Sequence, residues 1–168
     1  MNVKANILNR LQYLIDEIPE KIANLSADKL AEKNNPEKWS KKEILGHLCD
    51  SAFNNHCRFI TAQSAKEPVK ISPYEQNEWV TLNAYQKMNM SDIINLWVLL
   101  NKQILLVVEN MPEEKLAVQC DLGGAAFREG ENIKPLLWLI EDYVIHMEYH
   151  LKQIINEDWL RNAYGRKE

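Results

Sequence analysis

Residues 134–157, KPLLWLIEDYVIHMEYHLKQIINE, carry two stripes along one predicted helix. The first stripe is apolar and repeats every three or four residues, the period that puts side chains on one helix face. It contains Leu137, Ile140, Val144, Met147, Leu151 and Ile154. The neighbouring stripe is polar and aromatic and contains Tyr143, His146, His150 and Gln153. The pattern predicts a helix from about Lys134 to about Glu157 that lines a site inside a helical bundle.

The N-terminal segment shows the same periodicity. Its apolar positions are Leu8, Leu11, Ile15, Ile18, Ile22 and Leu25. Pro19 interrupts this stripe, and proline both removes a backbone donor and clashes with the preceding turn. We therefore expect a kink or a break near Ile18.

Two further helices are predicted between these ends. Helix two should run from about Lys41 to about Ala65, because Ser40 and Glu43 form a capping-box pattern. Helix three should follow an N-cap at Ser91 and end near Asn110. Its apolar positions are Ile93, Trp97, Leu100, Ile104 and Val107.

The connections complete the predicted fold. Residues 26–38 read as a polar connection, residues 67–90 as a long link with at most a short helical turn, and residues 120–132 as a loop or a short hairpin. Four long helices without a convincing strand run predict one all-α domain over residues 1–168, a four-helix bundle. The long link permits a crossover between helices two and three instead of a simple hairpin.

Charge and composition limit the partners. The net charge is −4, with acidic and basic residues interspersed, which argues against a nucleic-acid-binding surface. No stretch approaches the roughly 18 consecutive apolar residues of a membrane span, and the N-terminus is not typical of a signal peptide. The three cysteines form no Cys-x-x-Cys motif, which favours a reducing compartment. We expect a cytoplasmic protein with neither a membrane nor a nucleic acid as partner.

Histidine spacing predicts a metal site. His146 and His150 lie four residues apart, which places both imidazoles on one helix face. A zinc-like ion with an open position takes three protein ligands, so a third must come from elsewhere. His47 and His56 are nine residues apart, on roughly opposite sides of helix two. Only His47 borders the apolar stripe of that helix, so we predict a divalent metal held by His47, His146 and His150, and assign His56 to the surface.

Other side chains are candidates for the surroundings of this ion. Asp50 lies on the His47 face of helix two, and Asp142 lies four residues before His146. Either carboxylate could accept a ring proton from a ligating histidine or act as a base, although a solvated surface charge explains each equally well. We expect substrate-pocket residues among Asn54, Trp79, Tyr143 and Gln153.

Glu148 argues against a zincin protease. In the His-Glu-x-x-His motif the glutamate directly follows the first histidine, but here that position is Met147. Glu148 lies one residue further on, about 200° around the helix from His146. It therefore cannot readily reach a water molecule on the histidine face.

Three motifs together resemble the DinB-like superfamily. They are Lys38-Trp39-Ser40, Glu43-Ile44-Leu45-Gly46-His47-Leu48-Cys49-Asp50 and His146-Met147-Glu148-Tyr149-His150-Leu151-Lys152-Gln153-Ile154. The resemblance implies a four-helix bundle with up-down-down-up topology. It also implies zinc or nickel bound by His47, His146 and His150. Similar members include S-transferases that use bacillithiol or mycothiol, metal-dependent hydrolases and stress-induced proteins.

These observations lead to one preferred function and two alternatives. We expect metal-dependent transfer of a low-molecular-weight thiol to an electrophilic substrate, since a coordinated thiol readily loses its proton. Hydrolysis by metal-bound water is the enzymatic alternative, and a metal-binding stress-response protein is the non-enzymatic one. Aromatic residues near the C-terminus, Trp159 and Tyr164, indicate a homodimer interface.

Overall fold

The computed structural model describes residues 2–33, 35–123 and 132–155, which are mostly helical. In chain order the elements are α1 (Val3–Ala23), α2 (Ala27–Ala31), α3 (Lys41–Ala62), β1 (Val69–Lys70), α4 (Gln76–Leu82), a 3-10 turn (Tyr85–Lys87), α5 (Met90–Glu109), α6 (Glu113–Leu116), β2 (Gln119–Asp121), β3 (Ile133–Pro135) and α7 (Leu136–Ile154). Helices α1, α3, α5 and α7 are the four long helices predicted from periodicity. Trp159 and Tyr164 lie outside the described residues.

Side-chain caps define where the helices begin. The Ser40 hydroxyl accepts from the Glu43 amide and the Glu43 carboxylate accepts from the Ser40 amide, which confirms the predicted capping box. Helix α5 begins at Met90, and Asn89, not Ser91, is its N-cap residue. The predicted cap was two residues late, because Asn89 already has the extended backbone of a cap, whereas Ser91 lies inside the helix.

Helix α1 passes through Pro19 without the predicted break. It continues to Ala23, one turn beyond the proline. Ile18 and Ile22 are both fully buried, so core packing holds the helix on either side of the lost backbone donor. Packing therefore outweighs the local cost of proline at this position.

Contacts between the long helices establish the topology. Helices α1 and α3 each pack against both α5 and α7. Lys4, near the start of α1, donates to a main-chain carbonyl just beyond the end of α5, so these two helices are antiparallel. Cys49 of α3 contacts the Ile93 carbonyl at the start of α5, so α3 and α5 are parallel. Along α3, His47 contacts His150 and Phe59 contacts Tyr143, in the opposite order along α7, so that pair is antiparallel. The order is up-down-down-up.

Parallel α3 and α5 require a link that returns along the bundle. A helix of 22 residues is about 33 Å long, which no tight turn can span. Residues 63–89 cover this distance and contain β1, α4 and the 3-10 turn. Strand β1 pairs in parallel with β2, and β2 pairs antiparallel with β3. The antiparallel β2–β3 pairing agrees with the short hairpin that was one of the two predictions for this segment. Residues 124–131, between the two strands, lie outside the described ranges.

Two short elements were not predicted. Helix α2 lies in the segment expected to be a polar connection; Ser26 caps it and Leu30 anchors it in the core. Strand β1 was missed because its two residues carry no readable alternation. Both features are stabilised by their tertiary contacts.

Helix α5 is unusually apolar. Among the described helices it is long and apolar enough, by length and composition, to cross a membrane. Core helices of water-soluble proteins meet the same criterion. Here α5 packs against both α1 and α3, with Ile93, Trp97 and Ile104 fully buried.

Asp50 joins the crossover link to α3. Its Oδ1 accepts hydrogen bonds from the Tyr85 hydroxyl at 2.6 Å and from the Asn83 amide at 2.8 Å. Ala84, between these two donors, has a left-handed backbone with φ 52°. That conformation costs a non-glycine residue about 1 kcal/mol, so the turn is strained where both flanking side chains reach one carboxylate. Burial raises the pKa of Asp50 to about 6, although both hydrogen bonds oppose this.

Gly46 leaves room for the same link. The Tyr85 ring lies directly over this residue, and a Cβ added at Gly46 would overlap the ring. The absence of a side chain at position 46 thus lets the link reach Asp50. It also brings the link beside His47, the next residue in α3.

We predict that Gly46→Ala destabilises the protein by about 1–3 kcal/mol, because overpacking against Tyr85 exceeds the gain in helix propensity of about 1 kcal/mol. In a Tyr85→Ala background the same substitution should become stabilising. Urea denaturation of the four proteins measures this reversal. Equal effects of Gly46→Ala in both backgrounds would show that Tyr85 is not the obstacle.

We predict that Asp50→Asn gains stability relative to the wild type as pH rises. The folded-state pKa of about 6 lies above the unfolded value, so between about pH 4 and pH 6 the folded wild type retains a proton that the unfolded chain loses. The contribution of Asp50 to the free energy of unfolding therefore falls by on the order of 2 kcal/mol as pH rises. The variant shows no such fall, because asparagine cannot ionise. Urea titrations of metal-free protein from pH 4 to pH 8 measure the difference, with exposed Asp16→Asn as control. A difference that does not change with pH would contradict the prediction.

Candidate metal centre

Three histidines converge where the start of α3 meets the end of α7. His47, His146 and His150 each offer one ring nitrogen, and these nitrogens lie within 4.8 Å of one another. The ring centroids are 4.6–5.3 Å apart. His47 is fully buried, and the two histidines of α7 are half-buried. The structure thus brings together the three residues predicted as metal ligands.

The surrounding sequence explains this arrangement. The capping box fixes the start of α3 seven residues before His47, and Leu45 and Leu48 on either side are fully buried. On α7, Met147 and Leu151 are fully buried directly after each histidine. Apolar burial therefore sets the rotation of both helices and turns the histidine faces toward each other.

All three imidazoles are held in the neutral form. Burial, with contributions from the nearby His146 and His150, lowers the pKa of His47 to about 3. Burial, with a contribution from His150, lowers the pKa of His146 to about 4. The pKa of His150 is also lowered by burial, although an interaction with Gln153 opposes the shift. Neutral imidazole is the form that binds metal ions.

The donor geometry fits a tetrahedral divalent ion. The Nε2 atoms of His47 and His146 are 3.4 Å apart. Two nitrogens at about 2.0–2.1 Å from one tetrahedral ion would be separated by about 3.4 Å. The Nδ1 atoms of His47 and His150 are buried and have no hydrogen-bond partner among the described residues, which costs free energy. Three imidazoles leave a fourth coordination position open.

Trp39 is a site residue that the sequence reasoning did not assign. Its ring centroid lies 4.8 Å from that of His47 and 6.5 Å from that of His150. It precedes the helix-capping Ser40, so the fold holds it at the edge of the cluster. The available signal was its place in the Lys38-Trp39-Ser40 motif.

Tyr149 marks the more solvent-exposed side of the histidine cluster, because its ring contacts His150 and is 62% exposed.

The two candidate carboxylates lie in different surroundings. Asp50 is buried, and its hydrogen bonds come from Tyr85 and Asn83, which the sequence did not identify. Its other oxygen, Oδ2, is buried and has no hydrogen-bond partner within the described ranges. Asp142 is half-buried on α7, one turn before His146.

The predicted pocket residues do not form one wall. Asn54 is half-buried, and its amide donates to the Asp50 carbonyl. Trp79 lies in α4 against Tyr74 and Phe53, so it belongs to the crossover link. Gln153 is exposed beside His150.

Tyr143 is a core residue, which corrects its assignment to a pocket. It is 3% exposed, its hydroxyl donates to Asn101 at 2.6 Å and its ring edge contacts Phe59. The error arose because Tyr143 is adjacent to both stripes of α7, and 100° per residue does not separate a core position from a site position there.

Glu148 lies on another side of α7, as its spacing predicts. Its carboxylate forms two hydrogen bonds with the Arg10 guanidinium of α1, at 2.8 and 3.0 Å. This glutamate is engaged by α1, which agrees with the exclusion of a zincin mechanism. His56, assigned to the surface, is half-buried on α3.

Comparison with known proteins supports the same family. Residues 10–154 match the profile of the DinB superfamily. An Oceanobacillus iheyensis protein named "putative metal-dependent hydrolase" is 29% identical over 83 residues, which cover 47% of this chain and 48% of that protein. A Bacillus mycoides protein with the same description is 27% identical over 75 residues, 45% of this chain and 43% of its own. The match thus spans about half the length of these relatives.

A solved structure shares the fold. It is YfiT from Bacillus subtilis, described as "a probable metal-dependent hydrolase with an unusual four-helix bundle topology". The TM-score is 0.77 at 18% sequence identity, covering 98% of this chain and 89% of YfiT. The same family is indicated by the bundle topology, by the three clustered histidines and by the match over most of the sequence. The chain belongs to the DinB superfamily.

Proposed function

We propose that this protein is a metal-dependent enzyme whose divalent ion, zinc or nickel, is held by His47, His146 and His150. The observation that carries the proposal is the convergence of three neutral imidazole nitrogens within 4.8 Å. The separation of 3.4 Å between two of them matches the spacing of ligands on one tetrahedral ion. The site would work in the cytoplasm, where free thiols are abundant.

The residues around the cluster have separate roles in this proposal. When bound, the ion would lower the pKa of a nucleophile at its open position. His146 and His150 hold one side of the site, and His47 holds the other against the Trp39 ring. The substrates would approach from the Tyr149 side, which is the more exposed.

We favour a low-molecular-weight thiol as the nucleophile and an electrophilic small molecule as its acceptor. The thiol sulfur would form a bond to the electrophilic carbon, and the thiol proton would depart with the leaving group. Asp50, a candidate base, is already engaged by Tyr85 and Asn83. A divalent ion held by the three histidines would supply the acidity that deprotonates the thiol, so the reaction would need no protein base.

Hydrolysis is the second candidate, and the names of the relatives favour it. Both sequence relatives and YfiT are described as metal-dependent hydrolases. Asp142 would then be the residue to accept the proton of the attacking water, since it lies one turn from His146.

For either reaction, the proposal includes a homodimer and gives no role to nucleic acid or to a membrane.

We expect about one equivalent of zinc or nickel in wild-type protein. Elemental mass spectrometry of untagged protein should show this metal lost in His47→Ala, His146→Ala and His150→Ala, because two imidazoles hold an ion weakly. His56→Ala, on the same helix as His47, is the matched control and should keep the metal. Wild-type protein without metal after incubation with zinc or nickel would overturn the proposal.

We expect metal-dependent conjugation when the loaded protein is incubated with a thiol panel and a chlorinated aromatic electrophile. Chelation should abolish it, and Asp142→Asn should leave it within about threefold, since the thiolate forms without a base. Release of product from esters or amides without thiol, lost in Asp142→Asn, would instead establish hydrolysis. Neither reaction in metal-loaded protein would favour the metal-binding stress-response alternative.

A further inference from the structure

We propose that Arg10 and Glu148 form a positioning pair that holds His146 and His150 in the geometry needed for metal binding. The inference rests on the proposed metal centre but concerns a different helix, α1, which contributes no ligand. Neither residue touches the ion or a substrate in this proposal. Their effect on the site passes through α7.

The pair is directional and largely shielded from water. Arg10 Nε lies 3.0 Å from Glu148 Oε1, and Arg10 Nη2 lies 2.8 Å from Glu148 Oε2. The two side chains are only 9% and 15% exposed. Two parallel charge-assisted hydrogen bonds fix the relative orientation of both groups, which a single point contact does not.

Arg10 also spans two turns of α7. Its Nη1 lies 4.0 Å from Glu141, seven residues before Glu148 and on the same face of the helix. Glu148 lies midway in sequence between the two histidines and about 160–200° around the helix from each. The ion pair with α1 and the contact of the histidines with α3 therefore act on opposite sides of α7.

Small rotations of α7 would have large effects at the site. A Cα lies about 2.3 Å from the helix axis, and an imidazole nitrogen lies on the order of 6 Å from it. A rotation of about 10° would then move that nitrogen by about 1 Å. Metal–ligand distances tolerate only about 0.2 Å. Apolar packing of Met147 and Leu151 is less directional than the two parallel hydrogen bonds between Arg10 and Glu148. These hydrogen bonds are therefore suited to the final alignment of the histidines.

Zinc affinity and the metal-free structure test this pair in parallel. Zinc dissociation constants come from chelator competition, and contacts between the imidazole rings come from nuclear Overhauser effects in metal-free protein. We expect Arg10→Met and Arg10→Lys to weaken zinc binding by about tenfold or more, as loss of outer contacts does elsewhere, and to weaken the ring contacts. Lysine keeps the positive charge but cannot form the two parallel hydrogen bonds to the Glu148 carboxylate.

Two further variants separate positioning from stability. Arg10→Met with Glu148→Met should recover the unfolding midpoint, because apolar side chains can replace an ion pair, but should not recover zinc affinity. Tyr143 lies on α7, like Glu148 and the two histidines. Tyr143→Phe removes the hydroxyl that donates to Asn101 of α5. It should lower stability while leaving zinc affinity within about twofold.

The outcomes distinguish this inference from the proposed function. Zinc affinity within twofold of wild type in both Arg10 variants, with ring contacts unchanged, would overturn the positioning role. If wild-type protein binds no zinc, the proposed function fails and the metal-free ring contacts decide the inference. Loss of the ring contacts in the Arg10 variants but not in Tyr143→Phe would support the positioning role. Persistence of these contacts in the Arg10 variants would overturn it.

Discussion

The close approach of α3 and α7 at the three histidines is the constraint on which the site depends. Imidazoles this near one another cannot all carry charge, and burial favours the neutral form in each. Unpartnered ring nitrogens inside a protein are costly unless something else satisfies them. The bundle therefore maintains a cluster of uncharged imidazoles, which is the form that binds metal ions.

The parallel arrangement of α3 and α5 shapes what surrounds that cluster. It forces a long segment to return across α3, and this segment provides Tyr85 and Asn83 to the Asp50 carboxylate. Gly46 gives the segment its closest approach, next to His47. The crossover thus packs on α3 at Gly46 and Asp50, while Arg10 joins α1 to α7 on the side away from the histidines.

The sequence predicted the parts of this structure that rest on repeated patterns. Periodic apolar positions identified the long helices, and the four-residue spacing paired His146 with His150. Helical phase relative to the apolar stripe then selected His47 over His56. The partners of Asp50 could not be found this way, because residues 33 and 35 positions further along the chain reach it through a strained turn at Ala84. Tyr143 was misplaced because helical phase does not distinguish a buried hydroxyl bonded to Asn101 from one facing a site. The short strands and α2 depend on tertiary contacts that no local pattern encodes.

The distance between the ligands along the chain has a consequence for folding. His47 and His146 are 99 residues apart, so an ion bound by both closes a loop that includes most of the bundle. Bringing residues so far apart together costs the unfolded chain loop-closure entropy, so the unfolded chain binds the ion weakly. An ion that binds only the folded state adds its binding free energy to that of folding. Cellular metal supply would then govern the lifetime of this protein as well as its activity.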